Sequence, residues 1–216
     1  MKSIFVSRSL DAHSPIRQAL SGQAVRLVDE SLISFTKVDW TIPATRWLFF
    51  YSKTGVRMFN DICPSHHYKV LTYGRATAEF HTSYGPVVAH ASAEVESAIE
   101  LIDMYDCSED ITFVCGRRSL RSVHGHADMQ HVSQYECIVY DQEIRGDLRS
   151  DSYDLAIITS PLNFESFAKA KRKASTYLSI GETTAAALQK QGIKSLVAAH
   201  PSEAGIAITL GKWLAR

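Results

Sequence analysis

No apolar run in this 216-residue chain approaches the ~20 residues a membrane-spanning helix needs, so an integral helical membrane protein is excluded. Net charge is also missing. The 23 Lys and Arg balance the 23 Asp and Glu, so no global basic field draws in nucleic acid, and no nucleic-acid partner is expected. Basic side chains are not interleaved with aromatics as in single-strand binders. The four cysteines, Cys63, Cys107, Cys115 and Cys137, form no CxxC pair and no zinc-finger spacing, which fits a reduced compartment with structural thiols. There is no GxGxxG after the first strand, no GxxxxGK[ST] and no GxSxG, so dinucleotide, P-loop and nucleophile-elbow chemistry lack support. The opening MKSIFVSRSL has neither an apolar h-region nor a small-residue cleavage site. A cytoplasmic location is therefore expected.

What is present is the composition of an ordinary globular protein: 45% hydrophobic, 21% charged and 10% aromatic. The length allows one large or two small domains. A strand at Ile4–Val6 precedes a helix near Pro15–Leu20, with Ser14 as N-cap, Pro15 in the first turn and Gly22 past the end. Strand and helix patterns then alternate. Strands are expected at 24–28, 47–51, 69–72, 87–89, 111–114, 136–140, 155–158, 177–180 and 195–198. Helices are expected at 54–60, 76–83 and 93–105 and between the later strands. This alternation predicts an α/β protein with parallel strands.

The chain also repeats itself. FFYSKTGVRMF (49–59), VLTYGRATAEF (70–80) and VVAHASAEVESAIELI (87–102) resemble IITSPLNFESF (157–167), YLSIGETTAAAL (177–188) and LVAAHPSEAGIAITL (196–210). The offset is nearly constant: 108 from Ser52 to Ser160, 107 from Gly74 to Gly181 and from Thr77 to Thr184, and 110 from Ser92 to Ser202. IFVSRSL (4–10) resembles TFVCGRRSL (112–120). The two copies of one α/β unit are therefore circularly rearranged relative to each other. The expected organisation is two similar parallel-sheet, flavodoxin-like lobes with a cleft between them. One lobe is discontinuous (1–35 plus 152–216) and the other continuous (46–138). Extended segments at 36–45 and 139–151 cross between them and would permit opening and closing. Residues 41–150 carry 10 basic and 14 acidic side chains, the rest 13 and 9, a weak attraction that salt would screen.

Candidate binding residues cluster at strand-to-helix junctions, where open α/β sheets hold ligands. In Ile180-Gly181-Glu182-Thr183-Thr184-Ala185 a strand runs into a helix whose first-turn amides and dipole favour an anion, with Thr183 and Thr184 adding hydroxyls. Tyr73-Gly74-Arg75-Ala76-Thr77 repeats the pattern. Ser52 with Lys53, and Thr159 with Ser160, form a second matched pair. Each hydroxyl could equally cap its helix, and for an isolated case capping is the commoner role; two copies at matched positions favour a shared site. Arg8, Arg117, Arg118 and Arg121 follow strands and could clamp carboxylates or phosphates, or face solvent. Tyr140 ends a strand where the chain leaves its lobe and could donate a hydrogen bond or proton. His66, His67, His124, His126 and His131 have no carboxylate or Cys at ligand spacing in a segment read as surface loop and helix, so no metal site is expected.

Taken together the motifs resemble the uroporphyrinogen-III synthase family over essentially the whole chain. The likeness is carried by Val6-Ser7-Arg8, Phe50-Tyr51-Ser52, Tyr73-Gly74-Arg75-Ala76-Thr77-Ala78, Cys115-Gly116, Val139-Tyr140, Thr159-Ser160-Pro161, Ile180–Ala185 and His200-Pro201-Ser202-Glu203-Ala204-Gly205. Lys53-Thr54 stands where the family usually shows Pro and Ser, Ser9 replaces a frequent Pro, and 124–131 has no family counterpart. The resemblance implies a monomeric, cofactor-free lyase of porphyrin and haem biosynthesis. Its substrate would be linear hydroxymethylbilane, closed with loss of water and inversion of ring D, with Tyr140 assisting departure of the hydroxyl. Arg8, Ser52, Lys53, Arg75, Thr77, Arg117, Thr159, Ser160, Gly181, Thr183 and Thr184 would bind its eight carboxylates. The alternative from another class is a non-catalytic clamshell protein that closes on a small anion.

Overall fold

The computed structural model describes residues 1–41, 43–60, 68–80, 85–92, 94–107, 110–145 and 149–215. Cys63, His66 and His67, and the end of the helix expected over 76–83, lie outside the described residues. The chain divides into two units, Met1–Ser34 with Glu143–Arg216, and Phe35–Gln142.

The first unit is built on β1 (Lys2–Val6), α1 (Pro15–Ala19), β2 (Val25–Asp29), β9 (Ser152–Ile158), α5 (Pro161–Lys169), β10 (Lys173–Ser179), α6 (Glu182–Gln189), β11 (Leu196–Val197) and α7 (Glu203–Leu214). Its strands lie in the order β11-β10-β9-β1-β2, and each pair is parallel. The period of two along each strand divides the apolar residues between the faces. Ile4, Val6, Leu155 and Ile157 meet Ile16 of α1 and Ile206 and Leu210 of α7. Phe5, Ala156 and Ile158 meet Phe164 and Phe167 of α5 and Leu188 of α6. Helices thus cover both faces, as a wholly parallel sheet requires.

The second unit holds β3 (Ile33–Lys37), β4 (Trp47–Phe50), α2 (Lys53–Asn60), β5 (Lys69–Tyr73), α3 (Arg75–Ala78), β6 (Val87–Ala91), α4 (Val95–Met104), β7 (Ile111–Gly116) and β8 (Gln134–Ile144), with β3 running in from the first unit. The strand order is β3-β8-β7-β4-β5-β6. All but the β3 pairing are parallel. β4 (WLFF) and β7 (ITFVCG) are buried at every position, the mark of central strands covered on both sides. Trp47, Phe49 and Leu71 pack toward Ala98, Ile99 and Ile102 of α4. Leu48, Phe50 and Val70 pack toward Val56 and Phe59 of α2.

The two sheets share one winding. Numbered along the chain from β1, the first reads 2-1-3-4-5, the flavodoxin-like order. The second gives the same 2-1-3-4-5 when counted from β7 and continued from β8 into β4, β5 and β6. β1 therefore corresponds to β7 and β9 to β4, the pairs whose sequences resemble each other.

Several details differ from the sequence expectation. β8 runs through eleven residues rather than five, because β3 supplies a partner for its second half. Val38 N–H bonds the Val139 carbonyl and Arg145 N–H the Leu32 carbonyl; one index rises as the other falls, so this pairing is antiparallel. α3 has one turn. After Ala78 the bonding shifts from Glu79 N–H on Arg75 to Phe80 N–H on Thr77, an i→i−3 closure that ends the helix. Its N-cap, Gly74, has φ 85°, a conformation that favours glycine.

The helix caps follow their sequence signals. Ser14 accepts from Ile16 N–H with Pro15 at the first helical position. Ser160 accepts from Asn163 N–H at 3.1 Å at the start of α5. Ser160→Ala removes that cap and should destabilise the protein by about 1 kcal/mol. Thermal denaturation should show this as a loss of about 2–4 °C.

Candidate active site

In open α/β sheets the strand order reverses at a switch point, and ligands bind outside the carboxyl ends of the strands there. In the first unit that point lies between β1 and β9. Ser7 Oγ stands 3.1 Å from Thr159 Oγ1 and accepts the Thr159 N–H at 2.9 Å. Asn163 Nδ2 donates to Thr159 Oγ1 at 3.2 Å and to Ser160 Oγ at 3.0 Å. Arg8, just past β1, reaches Glu203 at 3.6 Å. The neighbouring β10 leads into α6. Ser160 and Ser202 cap α5 and α7, but the N-cap of α6 is Gly181 and no side chain closes it. The first turn of α6 thus presents backbone N–H groups at the carboxyl end of the sheet. Thr183 is exposed there, whereas Thr184 is 3% exposed and faces inward. Neither threonine is the cap.

In the second unit the switch point lies between β7 and β4. Ser52 Oγ accepts Gly55 N–H at 3.2 Å, capping α2, and lies 3.4 Å from the Tyr140 hydroxyl. Lys53 is exposed beside it. Tyr140 is 5% exposed, and burial raises its hydroxyl above the ordinary tyrosine value, so it stays protonated. Gly116 lies under its ring, where an added Cβ would stand 2.4 Å from Cε2 and 2.6 Å from Cζ. Arg117 N–H bonds the Tyr140 carbonyl at 2.9 Å, and its side chain pairs with Asp141 at 3.0 Å. Arg75 pairs with Glu79 at 2.9 Å. Thr77 is buried at the matched position to Thr184. Because α3 is a single turn, its dipole offers an anion far less than that of α6.

The family model described as HEM4, Uroporphyrinogen-III synthase HemD, matches residues 18–207. The chain belongs to the uroporphyrinogen-III synthase family. That is a family of lyases in haem biosynthesis. A solved uroporphyrinogen-III synthetase from Helicobacter pylori is 17% identical, with a TM-score of 0.65, covering 98% of this chain and all of the other. A mutant uroporphyrinogen III synthase from the extremely thermophilic bacterium Thermus thermophilus is 12% identical, with a TM-score of 0.56, covering 99% and 98%. These likenesses establish the fold. No curated relative matches the sequence.

In this chain of the uroporphyrinogen-III synthase family, three of the arginines read as ligand-binding have a carboxylate already. Arg8, Arg75 and Arg117 are 49%, 81% and 56% exposed. Bridges so exposed are worth about 0–1 kcal/mol, so each guanidinium can exchange its partner for a ligand carboxylate at small cost. Arg121 differs: it grips Glu136 through two nitrogens.

Four residues that sequence reasoning did not single out as a group come together in the second unit: Tyr51, His124, Glu136 and Arg121. His124, read as part of a surface loop without a carboxylate, is half-buried and 3.2 Å from Glu136. Burial pushes its imidazole below the ordinary histidine value, and Glu136 pulls the other way without overcoming it. Burial raises the Glu136 carboxyl, but the hydrogen bonds and charge of Arg121, with Cys115 and His124, outweigh it and leave it below the usual range. Burial, with Glu136, pushes the Cys115 thiol up to about 12, so the thiol is unreactive. No signal along the chain links these positions; only the strand ends do. Among the described residues no group of three or more His, Cys, Asp or Glu could hold a metal ion. No described helix is long and apolar enough to cross a membrane. A cavity of about 660 Å³ in this unit is lined by Trp40, Pro43, Thr45, Thr112, Arg117 and Glu136 among others.

Proposed function

We propose that the protein takes linear hydroxymethylbilane, expels water and closes the macrocycle with ring D inverted, forming uroporphyrinogen III. The observation that carries this reading is the family match over residues 18–207, which includes both sheets' switch-point residues except Ser7 and Arg8. The reaction is a dehydration with no net redox change and calls for no redox cofactor. The same reading makes the protein a cytoplasmic monomer acting on a small-molecule substrate.

The eight carboxylates are taken by side chains and amides at strand ends. In the first unit these are Arg8, Thr159, Ser160 and the uncapped start of α6 at Gly181 and Thr183, with Thr184 beneath. In the second they are Ser52, Lys53, Arg75, Thr77 and Arg117. Tyr140 donates a hydrogen bond to the departing hydroxyl of ring A, which leaves as water and gives an azafulvene. The substituted carbon of ring D attacks it. The resulting spiro intermediate fragments and recloses inverted. Unaided closure gives the uninverted isomer, so the main catalytic task is to hold the chain in the conformation that reaches the spiro route.

Product analysis tests the proposal. Hydroxymethylbilane is generated in situ, the purified protein added, and the oxidised uroporphyrins separated by chromatography. Isomer III is expected to dominate and to be absent without the protein. Isomer I alone, at the spontaneous rate, would overturn the reading.

A further inference from the structure

The scheme above leaves the polar side chains around the ends of β4, β7 and β8 unused, yet their hydrogen bonds determine where one proton sits. Tyr51 Oη accepts the backbone N–H of Val123 at 3.3 Å and of His124 at 3.1 Å. It also lies 2.8 Å from His124 Nδ1. A phenol oxygen that already accepts two N–H groups has its own proton to give. Tyr51 therefore donates to Nδ1, which carries no hydrogen. The ring proton sits on Nε2, 3.2 Å from Glu136 Oε1.

The chain of bonds continues. Arg121 holds both Glu136 oxygens and donates from Nη1 to the carbonyls of Ser119 at 2.8 Å and Arg117 at 3.3 Å. Ser119 Oγ accepts Gly116 N–H at 3.0 Å, Gly116 lies directly under the Tyr140 ring, and Arg117 N–H bonds the Tyr140 carbonyl at 2.9 Å. The Tyr140 hydroxyl in turn meets Ser52, the residue after Tyr51. The circuit runs from Tyr51 through His124, Glu136, Arg121 and the turn at Gly116–Ser119 to Tyr140 and closes through Ser52.

We propose that His124, held as its Nε2–H tautomer between Tyr51 and Glu136, is a positioning residue for Tyr140: it locks the turn after β7 that seats Gly116 under the Tyr140 ring, and protonation of the imidazole unlocks that turn. The proposal rests on the role given to Tyr140 above. The groups facing the ring are Tyr51 just past β4, Phe113 from β7, Glu136 from β8 and Arg121 from its own segment, and Cys115 of β7 meets Glu136. Cys115 stays a neutral thiol, so Glu136 and Arg121 are the charges present, and they are paired with each other. A second ring proton would have to sit on Nδ1, against an oxygen that already accepts two N–H groups. Burial of the imidazole acts in the same direction. The lock therefore holds at neutral pH and opens on acidification, below the ordinary histidine range.

Two readouts test this. Nitrogen-15 NMR of the histidine rings in the free protein needs no substrate. His124, assigned by its loss in a His124→Asn spectrum, should show an unprotonated Nδ1 and a protonated Nε2 at neutral pH. A protonated Nδ1 would overturn the proposal. The second readout is the pH profile of kcat. His124→Asn keeps an acceptor for Tyr51, and His124→Gln keeps a donor for Glu136. Each breaks the circuit once and should lower kcat about tenfold with KM unchanged, and His124→Asn should abolish the acid limb seen in the wild type. Tyr51→Phe, which retains the ring packing, should lower kcat similarly and gives the same test should the His124 variants not fold. Unchanged kcat and an unchanged acid limb in folded variants would overturn the positioning role. Wild-type protein that yields only isomer I, whatever the ring spectrum, overturns the reaction assigned to Tyr140 and the positioning role with it.

Discussion

Tyr140→Phe is expected to lower kcat for uroporphyrinogen III formation about a hundredfold, the scale of a well-placed proton donor, while the melting temperature stays within about 4 °C. The small stability change follows from geometry. The ring is buried among Phe35 and the apolar residues of β4 and α2, and phenylalanine fills the same space. What is lost is one long hydrogen bond to Ser52, 3.4 Å. Burial keeps the hydroxyl protonated well beyond neutral pH, so the group acts as a donor. The controls are Thr77→Ala, Thr183→Ala and Thr184→Ala. These should raise KM more than they lower kcat, because a carboxylate contact serves ground state and transition state alike. Steady-state kinetics on all four variants decides the matter, and similar kcat losses throughout would remove the case for a distinct donor.

Gly116→Ala should be at least as damaging, although it adds a single methyl group. The new Cβ would stand 2.4 Å from Cε2 and 2.6 Å from Cζ of Tyr140, and 3.0 Å from Gln142 Oε1. Neither neighbour yields easily. The Tyr140 ring is edge-on to Phe35 at 5.6 Å between centroids, and Gln142 accepts the Arg118 N–H at 3.1 Å. Overpacking of this kind costs about 1–3 kcal/mol. Any relief moves the Tyr140 hydroxyl away from Ser52. Activity should therefore fall as far as in Tyr140→Phe, and chemical denaturation should show the added destabilisation. A double-mutant cycle isolates the cause. In a Tyr140→Ala background the methyl has room, and the stability cost of Gly116→Ala should shrink. An equal cost in both backgrounds would show that the ring contact is not responsible.

The amino-acid sequence by itself determined the α/β class, because short apolar runs ending at Gly, Ser or Thr alternate with helical periodicity, and such runs bury both faces of a parallel strand. The internal likeness of 4–10 to 112–120, and of 157–167 to 49–59, marks the strand pairs β1 with β7 and β9 with β4. Both sheets wind in the order those pairs imply. Ser14 and Ser160 were legible as helix starts because capping is a local matter, decided within three residues; the start of α6 at Gly181 was not, because no side chain caps it and Thr183 and Thr184 offered themselves instead. The reach of β8 was not legible, since its second half is a strand through its pairing with β3, a segment about a hundred positions earlier. The single turn of α3 was not legible either, because the shift from i→i−4 to i→i−3 bonding at Phe80 leaves no mark in the residue pattern.

Only the tertiary structure decided which polar groups meet. Tyr51 and His124 are 73 positions apart and His124 and Glu136 are 12 apart, and no periodicity connects them. They meet because the parallel register of β4, β7 and β8 sets the residue after β4 beside the connection that leaves β7 and enters β8. There the half-buried Tyr51 hydroxyl and His124 imidazole must satisfy each other or remain unpaired at a cost of about 1–3 kcal/mol each, and the more exposed Glu136 carboxylate meets the far ring nitrogen. The same requirement sorts the arginines, which look equivalent in sequence: Arg121 is committed to Glu136, while Arg8, Arg75 and Arg117 stay exposed on weak pairs they can exchange.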